Sequence, residues 1–361
     1  MNRTHSILAA AGLLAAAVAA AAEPAVRDAD VPVAPIAASG FRGWTNAVRL
    51  SNRVCEVEVV PETGRLALFA PAGGTNVLYL ADAWAGRSPF EPGLRNLMPG
   101  FGGEWVWPVA QRHWARLHEE GYRPIRLFGP APWPARAWQA SDGTEVCVLS
   151  QSYGRPLHCK VTRTLRLSRI TPSLTLRQRL ERTAASDLPA TLWNVCQLTR
   201  PARLVLPRDH ETPGGEPGLE ADALGLPPAR LLAAVRGATV FSLAGSTAHR
   251  FASTSKRIWL AAEQNRMLVI VRPEPRSDGA AEGVPAAHLA VFVDNTLPYA
   301  EIETSGVETN LAPGQAVENT LRLECFPCPA GLSAERLAER VRILLGETTP
   351  PPAAGAEGGR P

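Results

Sequence analysis

The strongest constraint on the fold is a long series of short strand-like segments, each separated from the next by turn residues. Residues 54–59 alternate apolar and polar side chains, which is the period of a half-buried strand. The turn at residues 61–64 and the run at residues 65–69 complete a predicted β-hairpin. The same pattern recurs over residues 77–80, 144–151, 158–167, 174–180, 191–198, 258–262, 267–271, 289–293, 299–304 and 316–324.

This spacing predicts an all-β protein, with one large antiparallel sandwich as a single domain over residues 44–346. Two small β domains in tandem are the alternative. Helical periodicity is scarce: residues 334–345 place apolar side chains on one helical face, after Ser333 as N-cap and before Gly346 as a stop. We therefore expect a short C-terminal helix.

The two ends of the chain differ from this strand-rich region. Residues 1–22 combine Arg3 with an apolar, alanine-rich run that ends in small residues, which is typical of a signal peptide. We therefore expect an exported protein, periplasmic or secreted after cleavage. Residues 23–43 are expected to form a flexible lead-in and residues 347–361 a disordered tail, because both are rich in proline and alanine. No other segment has the apolar length of a transmembrane helix.

Charge and motif content argue against several classes of function. The chain has 37 Lys and Arg against 34 Asp and Glu, a net charge of +3 that is too small to gather nucleic acid or anionic lipid. The histidines are scattered, and the CxxC of Cys325 and Cys328 lacks the second ligand pair of a structural zinc site. No P-loop, HExxH or GxSxG motif occurs. We expect no nucleic-acid partner, no membrane span, no metal and no cofactor.

Two cysteines are candidates for a disulfide. Cys147 and Cys159 are equidistant in sequence from Tyr153, the middle of a predicted turn. If the hairpin closes in this register, the two cysteines face each other with Cβ atoms about 4.5–5.5 Å apart, near disulfide reach. The alternative is a pair of buried free thiols.

The candidate binding surface is the densest aromatic stretch, residues 101–138, which holds five of the nine tryptophans. Exposed indole rings offer flat apolar faces that match the C–H faces of a sugar, at little cost in rotamer entropy. Gln111, His113 and Glu104 add hydrogen-bonding groups for hydroxyls. The alternative is that the rings fill a wide β core. The side chains assigned to carbohydrate binding here are Trp105, Trp107, Gln111 and Trp133.

Two later segments each place polar side chains on one strand face. In residues 191–197, alternation puts Trp193 and Gln197 on the same face, which suits a sugar groove. In residues 299–304 it puts Glu301 and Glu303 together, about 7 Å apart, where mutual repulsion raises the pKa of one carboxyl. Packed or solvent-facing strands produce the same patterns, so a structural role is the alternative for both segments.

Several short motifs, in this order along the chain, resemble the galactose mutarotase-like proteins, in particular an exported bacterial branch of them. They are WTNAVRLS at 44–51 with PETGR at 61–65, GGEWVWP at 102–108, LWNVCQ at 192–197, and EIE at 301–303 followed by LAPGQ at 311–315. The resemblance covers residues 44–330. It implies a large antiparallel β-supersandwich with a carbohydrate ligand.

The resemblance also implies a reaction, the interconversion of α and β sugar anomers. Glu303 is the implied general base, with Glu301 as second choice. The family's acid histidine is missing, since residues 190–192 are Ala, Thr and Leu, and Phe101 replaces the arginine before Gly-Gly. His113 is the alternative acid. We therefore expect an exported carbohydrate-binding protein first, an active aldose 1-epimerase second, and a structural or partner-binding β-sandwich protein third.

Overall fold

The computed structural model describes residues 31–94, 100–119, 128–221, 224–274 and 288–347. The strands are β1 Pro32–Pro35, β2 Ser39–Phe41, β3 Trp44–Ser51, β4 Cys55–Val60, β5 Arg65–Pro71, β6 Glu104–Trp107, β7 Ala135–Ala140, β8 Glu145–Tyr153, β9 Cys159–Leu167, β10 Ser173–Arg182, β11 Trp193–Thr199, β12 Arg203–Pro207, β13 Leu219–Ala221, β14 Leu232–Val235, β15 Ala238–Ser242, β16 His249–Ser253, β17 Leu260–Gln264, β18 Met267–Pro273, β19 His288–Val293, β20 Tyr299–Ser305 and β21 Ala316–Pro327. The α-helices are α1 Trp114–Glu119 and α2 Ala334–Leu344.

These strands form two large antiparallel sheets, which confirms the predicted all-β sandwich. The eleven-stranded sheet has the order β1-β7-β8-β9-β10-β21-β18-β17-β12-β15-β14. The ten-stranded sheet has the order β13-β16-β19-β20-β11-β6-β5-β4-β3-β2. Inward-facing side chains of the two sheets, such as Leu165 and Leu176 from one and Leu198 and Ile302 from the other, belong to one apolar core. Burial of this core is the main stabilising contribution to the fold.

The predicted C-terminal helix is present as α2, and it covers the outer face of the eleven-stranded sheet. Ser333 caps it, because its Oγ accepts a hydrogen bond from the Arg336 N–H. Leu337 and Val341 pack against Val205 and Trp259 in a second apolar cluster. Within the described ranges, no helix is long and apolar enough to cross a membrane.

The described part of the predicted lead-in, residues 31–43, contains two strands. Within the segment 23–43, β1 pairs with β7 and β2 pairs with β3. Both strands lie at sheet edges, where proline is tolerated because one side of the backbone needs no partner. The predicted signal peptide at 1–22 and the predicted tail after Glu347 lie outside the described residues.

The predicted disulfide between Cys147 and Cys159 is wrong. In the β8–β9 hairpin, Cys147 lies opposite Leu165 and Cys159 opposite Tyr153, so the hairpin is centred near Pro156, three residues beyond the expected position. All six cysteines are free and buried. Burial raises the pKa of the Cys147 and Cys159 thiols to about 12, which is the property of packed core thiols.

Glu58 on β4 gives the fold a measurable pH dependence. Burial raises the pKa of its carboxyl from 4.5 to about 7, although Arg49, whose Nε lies 3.9 Å from Oε1, opposes the shift. The folded protein therefore binds this proton more tightly than the unfolded chain, so this group's contribution to stability falls as pH rises from 4.5 to about 7.

Replacing Glu58 with glutamine removes this loss of stability at high pH, because the amide does not titrate. We expect E58Q to match the wild type at pH 4 and to exceed its free energy of unfolding by about 2 kcal/mol at pH 8. Urea denaturation at both pH values measures the difference. If the free energy of unfolding differs between E58Q and the wild type by the same amount at pH 4 and pH 8, the raised pKa of Glu58 is contradicted.

Candidate functional site

The outer face of the ten-stranded sheet gathers most of the side chains selected from the sequence. Residues directly opposite each other in antiparallel strands point to the same face, and the registers of β6, β11 and β20 align six of them. The residues between them, such as Val106, Cys196 and Ile302, point into the core. The six are Trp105, Trp107, Trp193, Gln197, Glu301 and Glu303.

A cavity of about 790 Å³ lies on this face. Strands β11, β16, β19 and β20 contribute its wall, together with residues 110–112 and 305–308. Three of the predicted site residues line it: Gln111, Trp193 and Glu303. The size suits a small ligand such as one or two sugar rings.

Glu303 is the best-positioned carboxylate in the cavity. Its Oε2 accepts a hydrogen bond from the Trp193 indole Nε1 at 3.2 Å and one from Arg250 Nη2 at 2.9 Å. Trp193 comes from β11, beside β20, whereas Arg250 comes from β16, two strands away on the other side. Because the contacts come from both sides, they hold the carboxylate in one orientation at the cavity wall.

A second carboxylate, that of Glu308, lines the same cavity and is held from the loop that follows β6. Its Oε2 lies 2.7 Å from Arg112 Nη2 and 2.7 Å from His113 Nε2. His113 itself is absent from the cavity lining. The structure therefore gives His113 a supporting position behind Glu308 instead of the expected position facing a substrate.

The tryptophans expected to form a sugar surface lie mostly in the core. Trp105 contacts Trp107 edge-on at 5.9 Å between ring centroids, Trp107 contacts Trp114 at 5.7 Å, and Trp114 contacts Trp193 at 6.1 Å. Trp107 is only 2% exposed, and neither it nor Trp105 lines the cavity. Of these four tryptophans, Trp193 alone lines the cavity.

Trp133 lies away from the cavity, against the turn at residues 61–64. Its Nε1 donates to the Phe128 carbonyl at 2.9 Å, and its backbone N–H donates to the Pro61 carbonyl. Gly64 adopts a positive φ of 67°, and a Cβ there would lie 2.4 Å from the indole nitrogen. Trp133 is thus a packing residue that requires a glycine in this turn.

Gln197 and Glu301 form a polar pair next to the cavity. Gln197 Nε2 donates to Glu301 Oε1 at 2.6 Å. Burial raises the pKa of Glu301, and the neighbouring Glu303 raises it further, while Gln197, Arg250 and Arg65 oppose the shift. A carboxyl of raised pKa beside a second carboxylate is a common arrangement at functional sites.

The sequence reasoning missed several residues that line the cavity, among them Arg250, His288 and Glu308. The only sequence signal was strand alternation in β16 and β19, which places Arg250 and His288 on one face once the strands are aligned. Pairing places His288 opposite Ser305 and Ala290 opposite Glu303, so His288 is a diagonal neighbour of Glu303. In the described part of the chain, no group of three His, Cys, Asp or Glu side chains is arranged to hold a metal ion.

Comparison with known proteins gives matches only among solved structures. No protein-family model matches the sequence, and no curated protein sequence matches it either. The Slr1438 protein from Synechocystis sp. PCC 6803 superposes with a TM-score of 0.50 at 11% identity, over 82% of this chain and 99% of that one.

Two further structures carry descriptive names. A galactose mutarotase-like protein from Clostridium acetobutylicum has a TM-score of 0.48 at 10% identity, over 78% of this chain and 95% of that one. A galactose 1-epimerase from Lactobacillus acidophilus NCFM has a TM-score of 0.47 at 11% identity, over 82% of this chain and 100% of that one. This chain shares its fold with the Slr1438 protein. At such identities, a structural likeness concerns the fold and not the reaction.

Proposed function

We propose that the chain binds a carbohydrate in the cavity on the outer face of the ten-stranded sheet. The observation that carries this proposal is the fixed contact of Glu303 with Trp193 and Arg250 at the cavity wall. An oriented carboxylate accepts hydrogen bonds from sugar hydroxyls, and charge-assisted bonds of this kind are roughly twice as strong as neutral ones. The indole ring adds apolar surface of defined geometry.

The remaining lining supports the same ligand class. Gln111, Ser305 and Glu308 add donors and acceptors for hydroxyl groups around the cavity. The two carboxylates are matched by two guanidinium groups, so the lining carries no large excess of one charge. The predicted signal peptide at residues 1–22 supports binding outside the cytoplasm, in the periplasm or after secretion.

Titration calorimetry with a panel of common mono- and oligosaccharides tests this proposal. We expect binding by the wild type and at least tenfold weaker binding by Trp193→Ala, because the ring and its hydrogen bond to Glu303 are both lost. Trp138→Ala is the matched control, since Trp138 lies on β7 in the other sheet. No binding by the folded wild type to any sugar of the panel would overturn the proposal.

A second candidate function is the interconversion of sugar anomers. The observation that favours it is the diagonal placement of His288 beside Glu303 on neighbouring strands. The Cα atoms of such a diagonal pair lie about 7–8 Å apart. In that reaction, Glu303 takes the proton of the C1 hydroxyl while His288 protonates the ring oxygen, and the C1–O5 bond breaks. Rotation about the C1–C2 bond turns the other face of the C1 carbonyl towards O5. The C1–O5 bond then re-forms with both proton transfers reversed, which gives the other anomer. His288 takes the acid role because His113 is held by Glu308.

A further inference from the structure

A second group of aromatic and polar side chains lies on the same sheet face, beyond Glu303. It consists of Tyr79, Gln197, Tyr299 and Glu301, which we call the tyrosine cluster. The two tyrosine rings lie 4.9 Å apart between centroids, with their planes tilted by 36°. Gln197 Nε2 donates to Glu301 Oε1 at 2.6 Å and so joins β11 to β20 beside the rings.

Strand geometry places the tyrosine cluster on the same sheet face as the cavity wall. Tyr299, Glu301 and Glu303 occupy alternate positions of β20 and therefore point to one face. Glu301 lies about 7 Å and Tyr299 about 13 Å along the strand from Glu303. This span exceeds the length of one pyranose ring, so a ligand that reaches both ends contains more than one sugar unit.

Tyr79 is held in place by its own backbone. Its N–H donates to the Gln197 carbonyl at 2.8 Å, and its carbonyl accepts from the Gly103 N–H at 2.7 Å. Gly103, which donates this second bond, must be glycine. Its φ is 82°, and a Cβ there would lie 2.3 Å from the Leu66 carbonyl oxygen. The cluster is therefore built on rigid elements, which suits a binding surface.

The tyrosine rings do not serve the apolar core. Both are partly exposed, and neither belongs to either of the two apolar clusters among the described residues, whereas Tyr153 does. Burial raises the pKa of Tyr299 to about 12, with Glu301 adding to the shift, so the ring keeps its hydroxyl proton as a donor. The tyrosine cluster thus combines aromatic rings with a carboxylate, as Trp193 and Glu303 do on the same face.

We propose that the tyrosine cluster is a second carbohydrate subsite and that the chain takes an oligosaccharide in preference to a free monosaccharide. This inference rests on the proposed function, because it extends the same site. One sugar unit occupies the cavity at Trp193 and Glu303, and the next units run along β20 towards Tyr299. Glu301, which is only partly buried, supplies hydrogen bonds to hydroxyls between the two positions, and the buried Gln197 holds its carboxylate.

The test compares chain lengths by titration calorimetry. The probes are glucose with cellobiose, cellotriose, maltose and maltotriose, and galactose with galactobiose. We expect the wild type to bind at least one trisaccharide or disaccharide ten times more tightly than its monosaccharide. Tyr299→Ala should abolish that preference while changing monosaccharide affinity less than twofold. Tyr299→Phe should retain most of the preference, since it keeps the ring, and Trp193→Ala should weaken both classes of ligand.

The outcomes separate this inference from the function on which it rests. Binding of monosaccharides with no gain from added units, or a length preference that survives in both Tyr299→Ala and Tyr79→Ala, would overturn the second subsite alone. An absence of binding across all probes would overturn the carbohydrate proposal together with it. Thermal melting of each variant shows whether a loss reflects the site or the fold.

Discussion

Replacing Arg163 with methionine is expected to lower the free energy of unfolding by about 3–5 kcal/mol. Arg163 is 1% exposed and comes from β9 of one sheet, and Glu104, which is 0% exposed, comes from β6 of the other. The Arg163 guanidinium contacts Glu104 Oε2 and also donates to the Gly64 carbonyl at 2.5 Å. The methionine variant leaves a fully buried carboxyl without its main partner, and burial already raises the pKa of Glu104.

Two further variants make this prediction specific. Arg177→Met on the adjacent strand β10 removes an exposed ion pair with Glu318, whose Oε2 lies 2.7 Å from Nη2, and should cost less than about 1 kcal/mol. The double variant Arg163→Met with Glu104→Gln should lose less than the sum of the two single losses, because neither partner then remains alone. Equal losses for Arg163→Met and Arg177→Met in urea denaturation would contradict the role of the buried pair.

Glu104 is a residue whose environment the strand pattern does not predict. Strand alternation predicts that Glu104 and Trp105 point to opposite faces. Because both faces of β6 are buried in the structure, alternation does not indicate which of the two faces meets the core between the sheets. Glu104 was expected to bind hydroxyls beside the tryptophans, and it lies instead inside the sandwich. The cost of burying its charge is offset by Arg163 from the opposite sheet, a partner that is distant in sequence.

Sequence alternation predicted which side chains share a face of one strand, but not which side chains meet across neighbouring strands. Alternation alone placed Glu301 with Glu303 and Trp193 with Gln197. Arg250 meets Glu303 only because β16, β19 and β20 lie side by side, which a single sequence does not reveal. The disulfide failed for a related reason: a shift in the centre of one hairpin changed every pair along it.

Replacing Glu303 with glutamine is expected to weaken carbohydrate binding by about ten- to a hundredfold. The change keeps the volume and a hydrogen-bond acceptor for the Trp193 indole, but it removes the charge that Arg250 contacts at 2.9 Å. The sugar hydroxyls then lose charge-assisted bonds, and the guanidinium at the cavity wall loses its carboxylate partner. Titration calorimetry measures the loss, with Glu318→Gln on the opposite sheet as the control that should bind like the wild type.

The same variant separates the two candidate functions when anomer exchange is followed by NMR. A protein that only binds leaves the exchange rate of the sugar at its buffer value, in the wild type as in Glu303→Gln. An epimerase accelerates exchange, and Glu303→Gln and His288→Ala each lose about a hundredfold or more, because general acid–base catalysis contributes factors of that size. Glu301→Gln keeps the acceleration if Glu303 is the base, since Glu301 is engaged by Gln197. Loss of exchange in Glu301→Gln but not in Glu303→Gln would instead move the reacting centre towards the tyrosine cluster.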